Sequence, residues 1–330
     1  MSRLALALSC LDYDRVRALA TGAVEPAGID LAFVANPPDE SIWRMAEHGE
    51  FDAAEMTFAT FLRLVDRGAD VIGLPVFVVR CFPHGGIFVR EGAGIESPRD
   101  LEGHRVAAGE YRMSIAVWAR GILGEHHGVD LDAIEWCTAR AEADLDVGGR
   151  RVTLLPDGPP LAARLQAGEV DALIVPRVPP PFRAASPGVR RLFPHAREDE
   201  IGYYRATGVF PILHLVVLRR SLHERHPWIA SSLYRAFVAA RDLCYAELEQ
   251  TMEGLRVTAP WFESHLDEVR QLMSADYWPY GLEPNRGAVE TFCRYAREQD
   301  VVPRLLSADE LFAANAAERP VASTRLLIGG

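Results

Sequence analysis

Short apolar runs alternate with segments of helical periodicity along the first third of the chain. The runs 4–10, 29–35, 51–57 and 71–79 are strand-like, and segments 41–48 and 58–67 between them have apolar residues at helical spacing. This alternation is typical of βαβ units around a largely parallel sheet. A second set follows, with strands predicted near 105–109, 152–156 and 170–175 and helices near 114–127 and 160–167.

A local repeat predicts that the two sets form related lobes, with a chance match of a common small-residue pattern as the alternative. The residues His48-Gly49-Glu50-Phe51-Asp52-Ala53 recur as Ala167-Gly168-Glu169-Val170-Asp171-Ala172, each time after a helical pattern. Glycine tolerates the left-handed conformation that ends a helix, and a strand then begins. In open α/β sheets the strand ends lead into a ligand crevice, so both copies predict residues at a cleft.

Two extended apolar segments, 80–90 and 209–218, each contain a proline or adjoin one and are predicted to cross between the lobes. After the second segment the pattern becomes helical at 228–248, 261–274 and 287–298. We expect these helices to pack on the first lobe. The sequence therefore predicts a two-lobed α/β fold with residues 1–88 and 212–330 in one lobe and 89–211 in the other.

Composition narrows the classes of partner. The 330 residues carry a net charge of −11, which disfavours nucleic acid and anionic membrane surfaces as partners but leaves room for a small anion in a locally basic cleft. All 35 basic residues are arginine. The lack of lysine excludes Schiff-base chemistry and pyridoxal phosphate, and we expect no cofactor. We leave a homo-oligomeric state open.

The apolar start of the chain resembles an export signal only superficially. Its basic region is the single Arg3, its apolar run is short, and a first β-strand explains residues 4–10 better. The five cysteines are scattered without a C-x-x-C pair, as expected of reduced thiols. We therefore expect a cytoplasmic protein, and no apolar run is long enough to cross a bilayer.

An arginine and a histidine lie four residues apart in the first crossing. Arg80 and His84 stand between two strand-like runs. A guanidinium binds a carboxylate through two parallel hydrogen bonds, and an imidazole exchanges protons near neutral pH. The pair predicts a site that binds an organic acid and transfers a proton.

Several motifs, in order, resemble the 4,5-dihydroxyphthalate decarboxylase family over most of the chain. They are Asp12-Tyr13-Asp14-Arg15, Arg44-Met45, Phe51-Asp52-Ala53-Ala54-Glu55, Pro75-Val76-Phe77 with Arg80 and His84, Asp100-Leu101-Glu102-Gly103, Trp118-Ala119-Arg120-Gly121-Ile122-Leu123 and Gly208-Val209-Phe210-Pro211-Ile212-Leu213-His214. The resemblance implies a fold like that of type II periplasmic binding proteins. The chain departs from the family pattern at Pro83 and Gly85, where a basic residue and a serine are expected.

The resemblance implies decarboxylation of a hydroxylated aromatic acid without a cofactor, since the hydroxyl para to the carboxylate pushes electrons into the ring. The enzyme must hold the acid, help ionise the phenol and protonate the ring carbon. We predict Arg80 as the carboxylate anchor, with Arg177 from the other lobe as its partner. A salt bridge is the alternative for each arginine. His84 is the predicted proton donor and His214 its partner or replacement, although either histidine could equally be a core residue.

Further candidates lie near strand ends. Glu55, and Glu110 with Tyr111, follow or end predicted strands and are candidates for acid–base or substrate contacts, with helix capping as the alternative. Tyr13 and Trp118 could face an aromatic ring, although core packing explains Trp118 equally well. Arg44, from the Arg44-Met45 motif, completes the predicted substrate-binding set.

No metal-ligand motif appears, and adjacent His126 and His127 point to different faces of a helix, so no metal is predicted. Motifs of nucleotide-binding and serine hydrolase sites are also absent from the sequence. Two functions stay open. The first is a hydroxyaryl acid decarboxylase, and the second is a non-catalytic solute-binding protein that closes its lobes around a small organic anion.

Overall fold

The computed structural model describes residues 3–142, 146–183, 187–253, 257–314 and 316. The strands are β1 Leu4–Ser9, β2 Ile29–Val34, β3 Ala53–Thr57, β4 Ile72–Arg80, β5 Ile87–Arg90, β6 Arg105–Ala108, β7 Glu135–Thr138, β8 Val152–Leu154, β9 Ala172–Ile174, β10 Val189–Arg191 and β11 Ile212–Leu218. The helices are α1 Arg17–Ala20, α2 Pro38–His48, α3 Phe58–Asp66, α4 Ser114–His127, α5 Leu161–Ala167, α6 Pro180–Arg183, α7 Ala196–Thr207, α8 Arg220–Arg225, α9 Trp228–Glu253, α10 Phe262–Met273, α11 Arg286–Glu298 and α12 Ala308–Leu311.

The strands form two sheets. In the first, the order is β2-β1-β3-β11-β4, with β1, β2 and β3 parallel and β11 antiparallel to both of its neighbours. In the second, the order is β10-β5-β9-β6-β7-β8, and β6 is parallel to β7 and β9. This mixed α/β architecture agrees with the predicted fold class. The residue bounds of the two lobes stay a prediction.

The sequence repeat has a structural counterpart. Gly49 and Gly168 end α2 and α5 with φ of 57° and 76°, which is the left-handed region where glycine is favoured. The aspartate that follows each glycine accepts a hydrogen bond from a backbone N–H of the parallel neighbouring strand. Asp52 binds the N–H of Ala7 at 2.9 Å, and Asp171 binds that of Arg105 at 3.1 Å. Both sheets therefore use the same device to connect a helix to a strand.

The chain passes between the sheets at two adjacent segments. The first segment leads from β4 to β5, and the second leads into β11. They run side by side, since the N–H of Cys81 donates to the carbonyl of Pro211 at 3.1 Å. A register shift between Ile212 and His214 locally disrupts the pairing of β11 with β4. The two segments are thus held together at the place where a hinge between sheets would lie.

The C-terminal helices pack on both faces of the first sheet. Helix α9 contacts α1 and β4, and α11 contacts α4. The rings of Phe58, Trp118 and Phe292 form the centre of the second contact, with centroid distances of 4.5 Å from Phe58 to Phe292 and 5.4 Å from Trp118 to Phe292. None of the described helices is both long and apolar enough to span a bilayer. Strand β7 and helix α7 were not predicted from the sequence.

Candidate functional site

A buried carboxylate with several hydrogen-bond donors lies on the first sheet. Glu55 in β3 is completely buried, and its Oε1 accepts hydrogen bonds from the Tyr13 hydroxyl at 2.7 Å and from Nδ1 of His214 at 2.6 Å. Its Oε2 accepts from the N–H of Leu11 at 3.2 Å and lies 3.6 Å from the Cys10 thiol. Because all of these groups donate, the arrangement suits an ionised carboxylate. We call these residues the Glu55 cluster.

The electrostatics of the cluster agree with this assignment. Burial alone would raise the pKa of Glu55, but the hydrogen bond and charge of His214 and the Tyr13 hydroxyl outweigh it, so the pKa falls below its ordinary 4.5. Burial and the negative charge of Glu55 raise the pKa of Tyr13, which keeps its hydroxyl protonated. Burial and Glu55 likewise raise the pKa of Cys10, so it remains a thiol. Near neutral pH the cluster therefore carries its negative charge on Glu55.

Strand pairing brings His214 to Glu55. In the antiparallel ladder Val216 is opposite Glu55 and His214 is opposite Thr57, so the histidine and the carboxylate are diagonal neighbours on one face. The His214 side chain is 18% exposed, so its ring reaches the surface of the cluster. Since an ionised carboxylate only accepts, Nδ1 carries the proton, and Nε2 contacts no hydrogen-bonding group of the described residues.

Arg15 extends the cluster with a positive charge. Its guanidinium lies 4.5 Å from the ring centroid of Tyr13 and 4.3 Å from that of Trp278. Nε donates to the carbonyl of Val78 at 2.9 Å, and Nη2 donates to the same oxygen. Nη1 is 3.0 Å from the carboxylate of Asp14, which is 59% exposed. The guanidinium is thus fixed between two aromatic rings, with its only ion-pair partner among the described residues in solvent.

Arg80, the predicted carboxylate anchor, lies at the hinge rather than in the Glu55 cluster. Its side chain is buried, Nη1 donates to the carbonyl of Phe210 at 3.1 Å, and Nη2 donates to the carbonyl of Pro279 at 2.9 Å and to Oδ1 of Asn285. These bonds join the first crossing to the second and to residues 274–285 between α10 and α11, which we call the C-terminal segment. A role for Arg80 in substrate binding stays a prediction.

His84, the predicted proton donor, is enclosed by other rings. It is 2% exposed, and its ring centroid lies 5.1 Å from that of Phe193 and 5.8 Å from that of Tyr203. Its Nδ1 is buried without a hydrogen-bond partner. Burial, together with the nearby His127 and His126, lowers the pKa of His84 to about 4. The ring is therefore neutral near pH 7, and no carboxylate of the described residues forms an ion pair with it.

The other predicted residues of the second lobe lie apart from the Glu55 cluster. Glu110 forms a surface ion pair with Arg140 at 2.9 Å. Tyr111 is 1% exposed and donates its hydroxyl to the carbonyl of Gln299 at 3.3 Å. Trp118 is completely buried and donates Nε1 to the carbonyl of Ile212 at 2.8 Å. Core packing explains the two aromatic side chains, and we do not carry them into the proposed site.

The two remaining predicted arginines also lie at the surface. Arg177 follows β9 and is exposed, and none of its described neighbours forms an ion pair with it. Arg44 forms ion pairs with Glu40 at 2.9 Å and with Glu50, and its guanidinium lies 4.9 Å from the ring of Phe51. Contacts of this kind are typical of surface salt bridges.

The structure thus brings together Tyr13, Glu55 and His214 of the predicted site. Sequence reasoning missed Arg15 and Trp278. The Asp12-Tyr13-Asp14-Arg15 motif contained the signal for Arg15, two residues after a predicted ring contact. No local pattern could have indicated Trp278, because it reaches Arg15 only through the packing of the C-terminal segment. Among the described residues, no group of three His, Cys, Asp or Glu side chains is placed to hold a metal ion.

Comparison with known proteins relates this geometry to a family. A family described as NMT1/THI5 like matches residues 18–143. Among solved structures, the periplasmic aliphatic sulphonate binding protein SsuA from Escherichia coli aligns with 97% of this chain and all of its own, at a TM-score of 0.56 and 18% identity. That similarity shows the fold alone, which is the type II periplasmic binding protein fold expected from the sequence.

Two curated relatives have the same name. The 4,5-dihydroxyphthalate decarboxylase of Comamonas testosteroni is 32% identical over 321 residues, which cover 94% of this chain and 97% of the relative. The 4,5-dihydroxyphthalate decarboxylase of Pseudomonas putida is 32% identical over 220 residues, or 62% of this chain and 83% of the relative. The similarity extends through both sheets. The chain belongs to the 4,5-dihydroxyphthalate decarboxylase family.

Proposed function

We propose that the protein is a cofactor-independent decarboxylase of a hydroxylated aromatic dicarboxylic acid, with 4,5-dihydroxyphthalate as the first candidate substrate. The observation that carries the proposal is the hydrogen bond from the partly exposed His214 to the buried Glu55, beside the guanidinium of Arg15. A relative named for this activity, aligned with 94% of the chain, supports it. A proton-transfer group and an anion-binding group are the two things that this chemistry requires from the protein.

The reaction replaces one carboxylate by a proton. The para hydroxyl supplies electron density to the ring, and a proton adds to the carbon that bears the leaving carboxylate. The bond from that carbon to the carboxylate then breaks, its electron pair restores the aromatic ring, and carbon dioxide leaves. The product 3,4-dihydroxybenzoate retains the second carboxylate. The net reaction consumes one proton, so the donor must be recharged from solvent.

His214 is the group we assign to this proton transfer. Its Nδ1–H is committed to Glu55, which fixes the tautomer and the orientation of the ring and leaves Nε2 for the substrate. Protonated Nε2 delivers its proton to the ring carbon, and neutral Nε2 accepts one from a phenol or from water. Tyr13 holds the second lone pair of Glu55 Oε1, so it is a positioning residue.

Arg15 is the group we assign to the substrate carboxylate. Its stacking between Tyr13 and Trp278 restrains the guanidinium, and Nη1 has only the solvent-exposed Asp14 as ion-pair partner among the residues described. A substrate carboxylate can replace that weak surface pair, since charge-assisted bonds to a fixed guanidinium are the stronger interaction. The indole of Trp278 adjoins the same position and can pack against the substrate ring.

His84 remains the competing assignment for the proton donor. The geometry favours His214, because His84 has a lowered pKa, contacts aromatic rings and lacks a carboxylate partner among the described residues. A buried neutral imidazole would have to gain a proton at an energetic cost before it could act as an acid at neutral pH.

The experiment that tests the function follows release of carbon dioxide from purified protein incubated with hydroxylated phthalates and benzoates. Thermal shift on the same panel detects ligands that bind without reacting. Carbon dioxide release from 4,5-dihydroxyphthalate that falls by about 10²- to 10⁴-fold in His214→Gln is the expected result. A thermal shift without carbon dioxide release from any acid would instead favour the solute-binding alternative. A role in phthalate degradation and a cytoplasmic location stay predictions, to be tested by gene deletion and cell fractionation.

A further inference from the structure

A cavity of about 350 Å³ lies at the hinge, between the second crossing and the C-terminal segment. Its lining includes Arg80, Tyr204, Phe210, Tyr277 and Asn285. We call it the hinge cavity. Its volume is within the range of small-molecule sites, which begins at roughly 300 Å³. None of the residues that we assign to proton transfer or to the substrate carboxylate lines it.

The buried arginine that lines this cavity, Arg80, has no ion-pair partner among the described residues. Arg80 is buried, and its guanidinium donates only to neutral oxygens, those of Phe210, Pro279 and Asn285. Its Nε is buried without a partner, and no described carboxylate forms an ion pair with it. A buried charge without a counter-ion is costly, and burial lowers the pKa of Arg80 to about 9.

Three other buried arginines show which partners satisfy a buried guanidinium in this protein. Arg164 forms an ion pair with Glu169 at 2.7 Å, and Arg241 forms one with Asp242 at 2.8 Å. Arg120 is also buried without an acid, but its Nε donates to Gln299 at 2.7 Å, and it does not line the hinge cavity. Arg80 alone of these four combines an unpartnered Nε with an adjacent cavity.

The acid that lines the hinge cavity, Asp276, shares Arg241 with Asp242 and forms no ion pair with Arg80. Asp276 accepts from Arg241 Nη1 at 3.2 Å and from the Tyr245 hydroxyl at 3.1 Å. The remaining lining combines the apolar side chains of Met273, Pro284 and Ala288 with the polar side chains of Thr207 and Ser274. A ligand with a flat apolar body and one negative group would match these walls and supply the missing counter-ion.

We propose that the hinge cavity is a second ligand site, distinct from the Glu55 cluster, that binds a small aromatic monocarboxylate with Arg80 as its cation. An occupant would touch residues of both crossings, since Arg80 ends β4 and Phe210 precedes β11. The ring of Phe210 lies 5.4 Å from that of Trp278, which packs on Arg15. The two sites are thus neighbours separated by an aromatic wall.

Isothermal titration of the full-length protein with benzoate tests the proposal. Four variants are compared with the unaltered protein. Arg80→Gln removes the cation, and Arg15→Gln removes the anchor of the other site. Gly287→Phe narrows the rim of the cavity, where an added Cβ meets no atom within 4 Å. Gly202→Phe is the matched control, because Gly202 in α7 also has open space but does not line the cavity.

We expect benzoate affinity to fall at least about tenfold in Arg80→Gln, as for loss of a charge-assisted bond, and to fall also in Gly287→Phe. It should be unchanged in Gly202→Phe. Arg15→Gln weakens any benzoate binding beside the Glu55 cluster but should keep the binding that Arg80→Gln removes. If Arg80→Gln fails to fold, the test is the benzoate affinity of Gly287→Phe compared with that of Gly202→Phe. Three results would overturn the proposal: no benzoate binding by the unaltered protein, equal binding in the two glycine variants, or loss of all benzoate binding in Arg15→Gln.

Discussion

Replacing Glu55 with glutamine changes one oxygen of a completely buried carboxylate into an amide that donates. Two donors face each oxygen in the native cluster. If the amide nitrogen takes the place of Oε2, it opposes the N–H of Leu11, which cannot rotate away. If it takes the place of Oε1, it donates to His214, whose Nδ1 must then accept. The second arrangement moves the histidine proton to Nε2 and reverses the tautomer that the proposed chemistry uses.

Each arrangement has a calculable cost. An unsatisfied buried N–H costs about 1–3 kcal/mol of unfolding free energy. Reversal of the tautomer preserves the hydrogen bond between the side chain at position 55 and His214 but removes the acid–base function of Nε2. Loss of a positioned acid or base lowers turnover by roughly 10²- to 10⁴-fold. We expect the second arrangement, because Tyr13 can rotate its hydroxyl to accept whereas Leu11 has no alternative. Turnover should therefore fall by this factor while stability falls by less than about 3 kcal/mol.

The assay is carbon dioxide release from 4,5-dihydroxyphthalate, combined with ¹⁵N NMR of the histidine rings. The nitrogen shifts report which ring nitrogen carries the proton, a readout that a merely structural role would not change. The matched control is Glu96→Gln, at a carboxylate that is 82% exposed and pairs with Arg190. A Glu55→Gln protein that keeps its kcat within threefold of the control, with His214 still protonated at Nδ1, would refute the reasoning.

The same variant has a signature in pH. The folded pKa of Glu55 is lowered from 4.5, so its ionised form stabilises the fold above that pH, and this stabilisation is lost as pH falls through the folded pKa. Urea unfolding from pH 7 to pH 3 should show the stability difference between the unaltered protein and Glu55→Gln shrinking below about pH 4.5. A difference that stays constant over this range would contradict the assignment of a buried ionised carboxylate.

Three further predictions concern the neighbouring residues. His214→Gln should lower kcat by about 10²- to 10⁴-fold, whereas His84→Phe should keep kcat within a few fold in the same assay; the reverse pattern would assign the proton transfer to His84. As pH falls from 6.5 to about 4, the unfolding free energy should decrease, because His84 takes up a proton in the unfolded chain before it does so in the folded protein. Urea unfolding of His84→Phe should lack the part of this decrease that comes from His84. Arg15→Gln should raise KM by about tenfold or more with kcat nearly constant, because a charge-assisted bond to the substrate carboxylate is lost; an unchanged KM would exclude Arg15 as the anchor.

The parts of the fold that sequence reasoning predicted are those with local causes. Gly49 and Gly168 end helices because of their own conformational freedom, and the strands after them follow from apolar runs. Strand β7 was missed because its four residues include the polar Glu135 and Thr138. Helix α7 was missed because its first turns are mostly charged and give no clear apolar stripe. Both elements depend on neighbours that are distant in sequence.

The residues of the candidate site also fall into those that local sequence indicated and those that it did not. The sequence indicated Tyr13, Glu55 and His214 because each lies at or near an apolar run that suggests a strand, where a polar side chain needs an explanation. It did not indicate which of them meet. Arg15 and Trp278 were missed because their contact depends on the C-terminal segment reaching Val78 and Phe77, where both side chains donate to backbone carbonyls.

The choice between His84 and His214 depends on contacts that sequence pattern does not contain. Both histidines interrupt extended apolar segments, and His84 has the nearer arginine, so the pattern alone ranks it first. What distinguishes them is the charge within hydrogen-bond distance. The antiparallel pairing of β3 with β11 places a carboxylate on His214, which fixes one ring nitrogen and leaves the other for a substrate. Packing of α4, α7 and Phe193 around His84 instead surrounds it with aromatic and imidazole rings, and burial there disfavours its charged form. An imidazole that must take up and deliver a proton in each turnover is better served by the first environment, and this is the physical reason for assigning the chemistry to His214.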